Sequence, residues 1–175
     1  MREAGIEVEV QPAHVDENVL PGETPEAYVR RVADTKCLAI SERNQGRHVI
    51  GADTAVVVDG HILGKPADAE DAARMLRMLS ARSHLVISAV CLMKDGRPAV
   101  ETEVEVTVVE FARLSPAEIA WYVASRESMD KAGGYAVQGL ASRFVTRIAG
   151  SYSNVVGLPI AVVYRMCTKA GLLLS

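Results

Sequence analysis

Cysteine is scarce in this chain of 175 residues: Cys37, Cys91 and Cys167 lie far apart, with no CxxC pair and with apolar neighbours around each. That argues against a disulfide framework and fits small buried hydrophobes in a reduced, cytosolic protein. His14, His48, His61 and His84 show no HxH or HExxH spacing, so no histidine zinc centre is expected. Positive charge is not in excess, since 19 Lys and Arg face 22 Asp and Glu for a formal net charge of -3. The chain therefore offers no general attraction for a nucleic-acid polymer or an anionic membrane. Its apolar stretches are broken by Gly, Pro or charges well short of a membrane thickness, so neither a signal peptide nor a span is expected. Absent too are G-x-x-x-x-G-K-[ST], G-x-G-x-x-G and the serine-hydrolase elbow, which removes the P-loop, the Rossmann cradle and that hydrolase class.

What remains is a chain of 49% hydrophobic residues, ample for one core over residues 1–175. Arg2 to Gly5 reads as the last turn of a helix, followed by an alternating strand from Ile6 to Val10. Thr24 and Pro25 cap and open a helix to about Asn44, with Tyr28, Val29, Val32, Ala33, Lys36, Cys37 and Ile40 on one side. An apolar strand from His48 to Asp59 turns at Asp59-Gly60 into a short return strand that ends at Gly64-Lys65-Pro66. Asp68 caps a helix to Leu79, with Asp71 completing a box-like start. Leu85–Met93 and Val100–Phe111 form a hairpin about Asp95-Gly96, and the alternation of Glu101, Glu103 and Glu105 with Thr102, Val104 and Val106 predicts one wet and one buried face. Ser115-Pro116-Ala117-Glu118 is a capping-box helix start, with the helix running to about Ser125. Strands are expected near Tyr135–Val137 and Phe144–Ile148, and Gly157-Leu158-Pro159 opens a closing helix to about Ala170. Interspersed strands and helices make a mixed α/β domain.

Against this apolar background a few polar residues stand out. Asp53 lies between Val49-Ile50-Gly51-Ala52 and Ala55-Val56-Val57-Val58, where a buried carboxylate needs a metal, hydrogen bonds or a cation. Gly51 lets another backbone or a ligand come close. Lys65 is stiffened by Pro66, which favours an extended conformation before it. Lys36, on the apolar side of its helix, either snorkels, the commoner outcome, or meets an anion in a cleft. The pair Asp16-Glu17 offers oxygen ligands to a hard divalent cation, although acidic pairs in loops are usually just solvated. Asp130-Lys131-Ala132-Gly133-Gly134 joins charge to a flexible turn, and Thr54 and Gln138 are the kind of uncharged groups that read a base edge.

In order and spacing, Val15-Asp16-Glu17, Ala33 with Lys36, Gly51-Ala52-Asp53-Thr54, Gly64-Lys65-Pro66, Asp130-Lys131-Ala132-Gly133, Tyr135, Gln138-Gly139 and Gly150 through Pro159 resemble the Maf family of nucleoside triphosphate pyrophosphatases. The resemblance implies an α/β fold with a mixed β-sheet and flanking helices, two-lobed with a central cleft and similar to inosine triphosphate pyrophosphatases. It also implies hydrolysis between the α and β phosphates with a divalent cation, Mg²⁺ or Mn²⁺. By that likeness Asp53 readies water and, with Glu17, holds the metal, while Lys36 and Lys65 neutralise phosphate charge. Thr54, Gln138 and Lys131 fall to substrate binding. The Asp53-Thr54 and Tyr135 to Gly139 blocks resemble the dTTP/UTP branch, and a glutamine amide that donates and accepts suits the O4 and N3–H edge of thymine and uracil. Partners would be a small nucleotide and, as relatives suggest, a second copy in a homodimer, in the cytosol. Family members begin with a Ser-x-Ser-Pro-Arg-Arg segment that receives the triphosphate, and this chain starts after it. The chain as given is therefore expected to lack a clamp worth about 1.5–3 kcal/mol per contact and to be weaker than an intact relative. The competing expectation is a non-catalytic nucleotide-binding or regulatory protein linked to septum formation.

Overall fold

The computed structural model describes residues 1 and 5–172, and the expected helical turn at Arg2 to Ala4 lies outside them. Helix α1 spans Pro25–Ser41, capped by Thr24, whose side chain accepts from the Ala27 N–H. It stops three residues before the expected end because the Asn44 side chain bonds back to the Ile40 carbonyl, and Gly46 then turns at positive φ. Strand β1 (His48–Val58) turns at Asp59-Gly60 into β2 (His61–Leu63), paired antiparallel from Val56↔Leu63 to Val58↔His61. Helix α2 (Ala69–Leu79) has the predicted Asp68 cap, and Asp71 accepts from the Ala67 N–H. The hairpin β3 (Ser83–Lys94) and β4 (Arg97–Phe111) is longer than predicted but turns at Asp95-Gly96 as expected. Helix α3 (Pro116–Ala124) carries the complete capping box of Ser115 and Glu118. Strand β5 (Val145–Ala149) and helices α4 (Tyr152–Val156) and α5 (Ile160–Lys169) follow.

The five strands make one sheet in the order β2-β1-β3-β4-β5, with helices flanking it, so the α/β class expected from the sequence is the one observed. The chain divides into two compact units. One comprises Met1–Asp53, Ser88–Glu105 and Gly157–Ser175, and the other Thr54–Ile87 and Val106–Val156. In the first, Ile6, Val90, Leu92, Val162, Val163 and Met166 form a core beside α5. In the second, Leu76, Leu79, Val109, Phe111, Tyr122, Tyr135 and Phe144 are packed together, with rings of Phe111 and Tyr135 edge to face at 4.8 Å. Among the described residues no helix is long and apolar enough to cross a membrane.

Three local expectations are overturned. Residues 6–10 form no strand: Ile6 is buried and Val10 exposed, but the alternation supplies burial without a partner strand. Tyr135–Val137 is likewise not a strand, because it lies between two short 3-10 turns at Ala132–Gly134 and Leu140–Phe144, and its buried rings and side chains are core plugs. The two-faced reading of β4 fails as well. Glu103 is only 20% exposed and bonds Arg165 and Lys169 of α5, while on the neighbouring residue the Thr102 hydroxyl donates to Asp34 and its carbonyl accepts from Arg30 of α1. Val106, expected inward, is exposed. Helices reach both faces of this stretch, so alternation of polarity does not translate into alternation of burial.

Candidate active site

Asp53 ends the first unit's share of β1, where strand alternation puts it on the same face as Gly51. A Cβ at Gly51 would stand 2.6 Å from the Ala33 carbonyl oxygen, 2.6 Å from Cys37 Cβ and 2.8 Å from the Cys37 nitrogen. Only glycine lets α1 lie this close, and the Cys37 thiol adds a bond to the Val49 carbonyl at 3.1 Å. With Ala33 and Cys37 seated over Gly51, Lys36 is carried over the next residue on that face. Its Nζ donates to Asp53 Oδ1 at 2.7 Å and meets Glu17 Oε1 at 2.8 Å. The Asp53 side chain is 7% exposed, Lys36 20% and Glu17 36%.

The Glu17 loop is fastened to the same helix. The Tyr28 hydroxyl donates to the Glu17 carbonyl at 3.1 Å, and Arg31 donates to the Asn18 carbonyl and to both oxygens of Glu23. Burial of Lys36 opposes its charge, but the bonds from Asp53 and Glu17 outweigh that and hold its pKa above the ordinary value. Burial, reinforced by the charges of Asp53 and Glu17, pushes the Tyr28 hydroxyl up to about 12, so it remains a donor at neutral pH. The three charged groups are thus one cluster. Its formal charge is -1, from two carboxylates and one ammonium.

Of the residues singled out in the sequence, Asp53, Glu17 and Lys36 converge. Lys36 does not snorkel, which corrects the commoner expectation, because two anions hold its tip. Glu17 is no solvated loop acid either. Its neighbour Asp16 is, exposed and accepting from the Asn18 N–H in a local turn. Lys65 and Lys131 lie in the second unit. The Gly133 N–H donates to the Gly64 carbonyl at 3.0 Å, bringing the Lys131 loop against the end of β2. There Lys131 bonds Asp130 at 2.6 Å, and this bond, with a lesser contribution from Lys65, lowers the Asp130 pKa. Thr54 is half-buried in β1, next in sequence to Asp53, and Gln138 is exposed in the turn after Val137. Sequence reading missed Tyr28 and Arg31, which position the Glu17 loop. The one signal was a tyrosine in an apolar stripe, whose hydroxyl has to find an acceptor when buried.

Among the described residues no group of three or more His, Cys, Asp or Glu is gathered to hold a metal. Asp53 and Glu17 are two hard oxygen donors bound to a single nitrogen, so their nearest oxygens are within the sum of two hydrogen-bond lengths. Such a pair suits Mg²⁺ only in the manner in which one or two carboxylates share the ion with substrate phosphates and water.

The family described as Maf-like protein matches residues 1–170. The dTTP/UTP pyrophosphatase of Koribacter versatilis (strain Ellin345) is 51% identical over 173 residues, covering 99% of this chain and 89% of that protein. That of Anaeromyxobacter sp. (strain Fw109-5) is 52% identical over 170 residues, covering 95% and 81%. A third, from Syntrophomonas wolfei subsp. wolfei, is 49% identical over 167 residues, covering 95% and 88%.

Proposed function

The chain belongs to the Maf-like protein family, and we propose that it is a nucleoside triphosphate pyrophosphatase that converts dTTP and UTP in the cytosol to the monophosphate and pyrophosphate. Relatives about half identical to it carry the name dTTP/UTP pyrophosphatase. The observation that carries the reading for this chain is the Lys36 ammonium bound at once by Asp53 and Glu17. A buried carboxylate fixed beside a cation, with its neighbour carboxylate at hand, is the arrangement a general base requires.

Asp53 is the base. Its carboxylate, fixed through one oxygen by Lys36, takes the proton of a water that attacks the α phosphorus, and pyrophosphate leaves. Lys36 holds the carboxylate in one rotamer, and Glu17 balances the lysine. A cluster of formal charge -1 repels a triphosphate, so the reaction calls for a divalent cation, which Asp53 and Glu17 would hold. When bound, Mg²⁺ or Mn²⁺ would supply neutralisation of phosphate charge and polarisation of the attacked phosphorus. Lys65 and Lys131 stabilise charge that develops on the leaving pyrophosphate. Thr54 and Gln138 read the base, the Gln138 amide donating to O4 and accepting from N3–H of thymine or uracil.

The test is product analysis with dTTP, UTP and dCTP in the presence and absence of Mg²⁺. Equal amounts of monophosphate and pyrophosphate from dTTP and UTP, lost on chelation, are expected. Release of orthophosphate and a diphosphate instead would overturn the assignment of the cleaved bond, and no product from any nucleotide would overturn the enzymatic reading.

A further inference from the structure

Gln138 is exposed, and among the described residues its side chain makes no hydrogen bond, so a base-reading amide at this position depends on the backbone beneath it. That backbone is bolted at both ends to the C-terminus of α3. The Ala136 N–H donates to the Tyr122 hydroxyl oxygen at 3.1 Å, and the same hydroxyl donates to Glu127 Oε1 at 3.0 Å. The other Glu127 oxygen, Oε2, accepts the Leu140 N–H at 3.0 Å. The two anchored amides flank Gln138 symmetrically, two residues before it and two after. Between them the turn closes on itself through the Gly139 N–H to the Ala136 carbonyl at 3.1 Å.

Each part of the relay has a local reason. Tyr122 is fully buried, and burial raises its pKa, which keeps the hydroxyl a donor to Glu127. Arg126 sits at φ 62, reversing the chain after α3 so that Glu127 faces back toward Tyr122. Gly139 lies flat on the Glu127 carboxylate, and a Cβ there would collide with both of its oxygens.

We infer that Tyr122 and Glu127 are positioning residues that set pyrimidine selectivity by holding the Ala136–Leu140 turn, and with it the Gln138 amide, in a single conformation. This rests on the reading of Gln138 as the base reader. The relay's hydrogen bonds run to Ala136 and Leu140 and to none of the residues placed in the cleavage step, so its loss acts on recognition. Freed amides exchange with water, the turn samples several shapes, and the glutamine meets the base edge in only a fraction of them.

The experiment compares wild type with Tyr122→Phe, Glu127→Met, Gln138→Ala and the double variant Glu127→Met/Gln138→Ala, using steady-state kinetics on dTTP and dCTP together with amide hydrogen exchange. Methionine keeps the length of the glutamate and removes both acceptor oxygens. Losing one such hydrogen bond should raise KM for dTTP about three- to tenfold with kcat within twofold, and cut the dTTP over dCTP preference by a like factor. The double variant should be no less selective than Gln138→Ala alone, because both changes remove the same recognition. Exchange at Ala136 should quicken at least tenfold in Tyr122→Phe, and at Leu140 in Glu127→Met. Should Tyr122→Phe not fold, Glu127→Met, at a half-buried position, decides. Gln138→Ala losing selectivity while Glu127→Met keeps it, or Glu127→Met lowering kcat equally on both nucleotides, overturns the positioning role and leaves the proposed function intact. No preference for dTTP in the wild type overturns the base-reader assignment, and this inference falls with it. Unchanged exchange at Leu140 in Glu127→Met refutes the relay whatever the activity.

Discussion

Replacing Gly51 by alanine tests whether the close seat of α1 on β1 is what aligns the charged cluster. The added methyl would stand 2.6 Å from the Ala33 carbonyl oxygen and 2.6 Å from Cys37 Cβ, where ordinary contact begins near 3.4 Å. The helix must therefore lift by nearly 1 Å, or the strand must sink by as much. Two of the three closest atoms are backbone, so trimming a side chain on α1 gives no relief. Overpacking of this kind costs about 1–3 kcal/mol, which for a chain of this size lowers Tm by roughly 2–12 °C. The effect on turnover should be larger, because Lys36 rides on the same helix and a displacement of about 1 Å in a reacting constellation costs on the order of 100-fold in rate. Thermal melting, and kcat/KM for dTTP at 25 °C, measure the two losses. Gly51→Ala with a Tm within 1 °C of wild type and at least half the activity would show that the helix has room to spare, and the argument from close packing to alignment would fail.

Lys36→Met leaves two carboxylates without their shared cation and should cost on the order of 3 kcal/mol, read as a lower urea midpoint at pH 8. The raised Lys36 pKa adds stability that is complete below pH 10.5 and is lost as pH rises through the elevated value, and the raised Tyr28 pKa weakens the fold across pH 10 to about 12 in the same sense. Alkaline unfolding should therefore be less pH-dependent in Lys36→Met, and identical profiles would contradict the pairing. His84 is buried against Tyr135, with Nε2 at 2.8 Å from the hydroxyl, and burial pushes its pKa down to about 4. The unfolded chain takes up a proton near pH 6.5 that the folded chain refuses, so stability is full above pH 6.5 and falls by roughly 3 kcal/mol toward pH 4. His84→Gln keeps a partner for Tyr135 and should flatten that fall; a midpoint that drops as steeply in the variant would refute the assignment to His84.

Helix starts were legible because their chemistry is local: Thr24, Asp68 and Ser115 each bond a backbone N–H three residues on, and nothing distant can alter that spacing. Asp53 was legible for a different reason, since a carboxylate in an apolar strand announces a buried charge whatever its partner. The partner was not legible from residues alone. Whether Lys36 snorkels or turns inward depends on how closely α1 approaches β1, which Gly51 hints at but does not fix. The wet and dry faces of β4 were misread because helices on both sides supply ion partners, so Glu103 is shielded by Arg165 and Lys169. Tyr135 misled through strand propensity, when its ring is bound to His84 and Phe111, residues 51 and 24 positions earlier in the chain.

In the proposed reaction the carboxylate of Asp53 takes a proton from the attacking water, and Asp53→Asn removes that capacity while keeping shape and an acceptor for Lys36. Pyrophosphate release from saturating dTTP, with thermal melting to establish that the variant is folded, measures it directly. A fall in kcat of at least about 100-fold is expected. A folded Asp53→Asn protein whose kcat stays within threefold of wild type would contradict it.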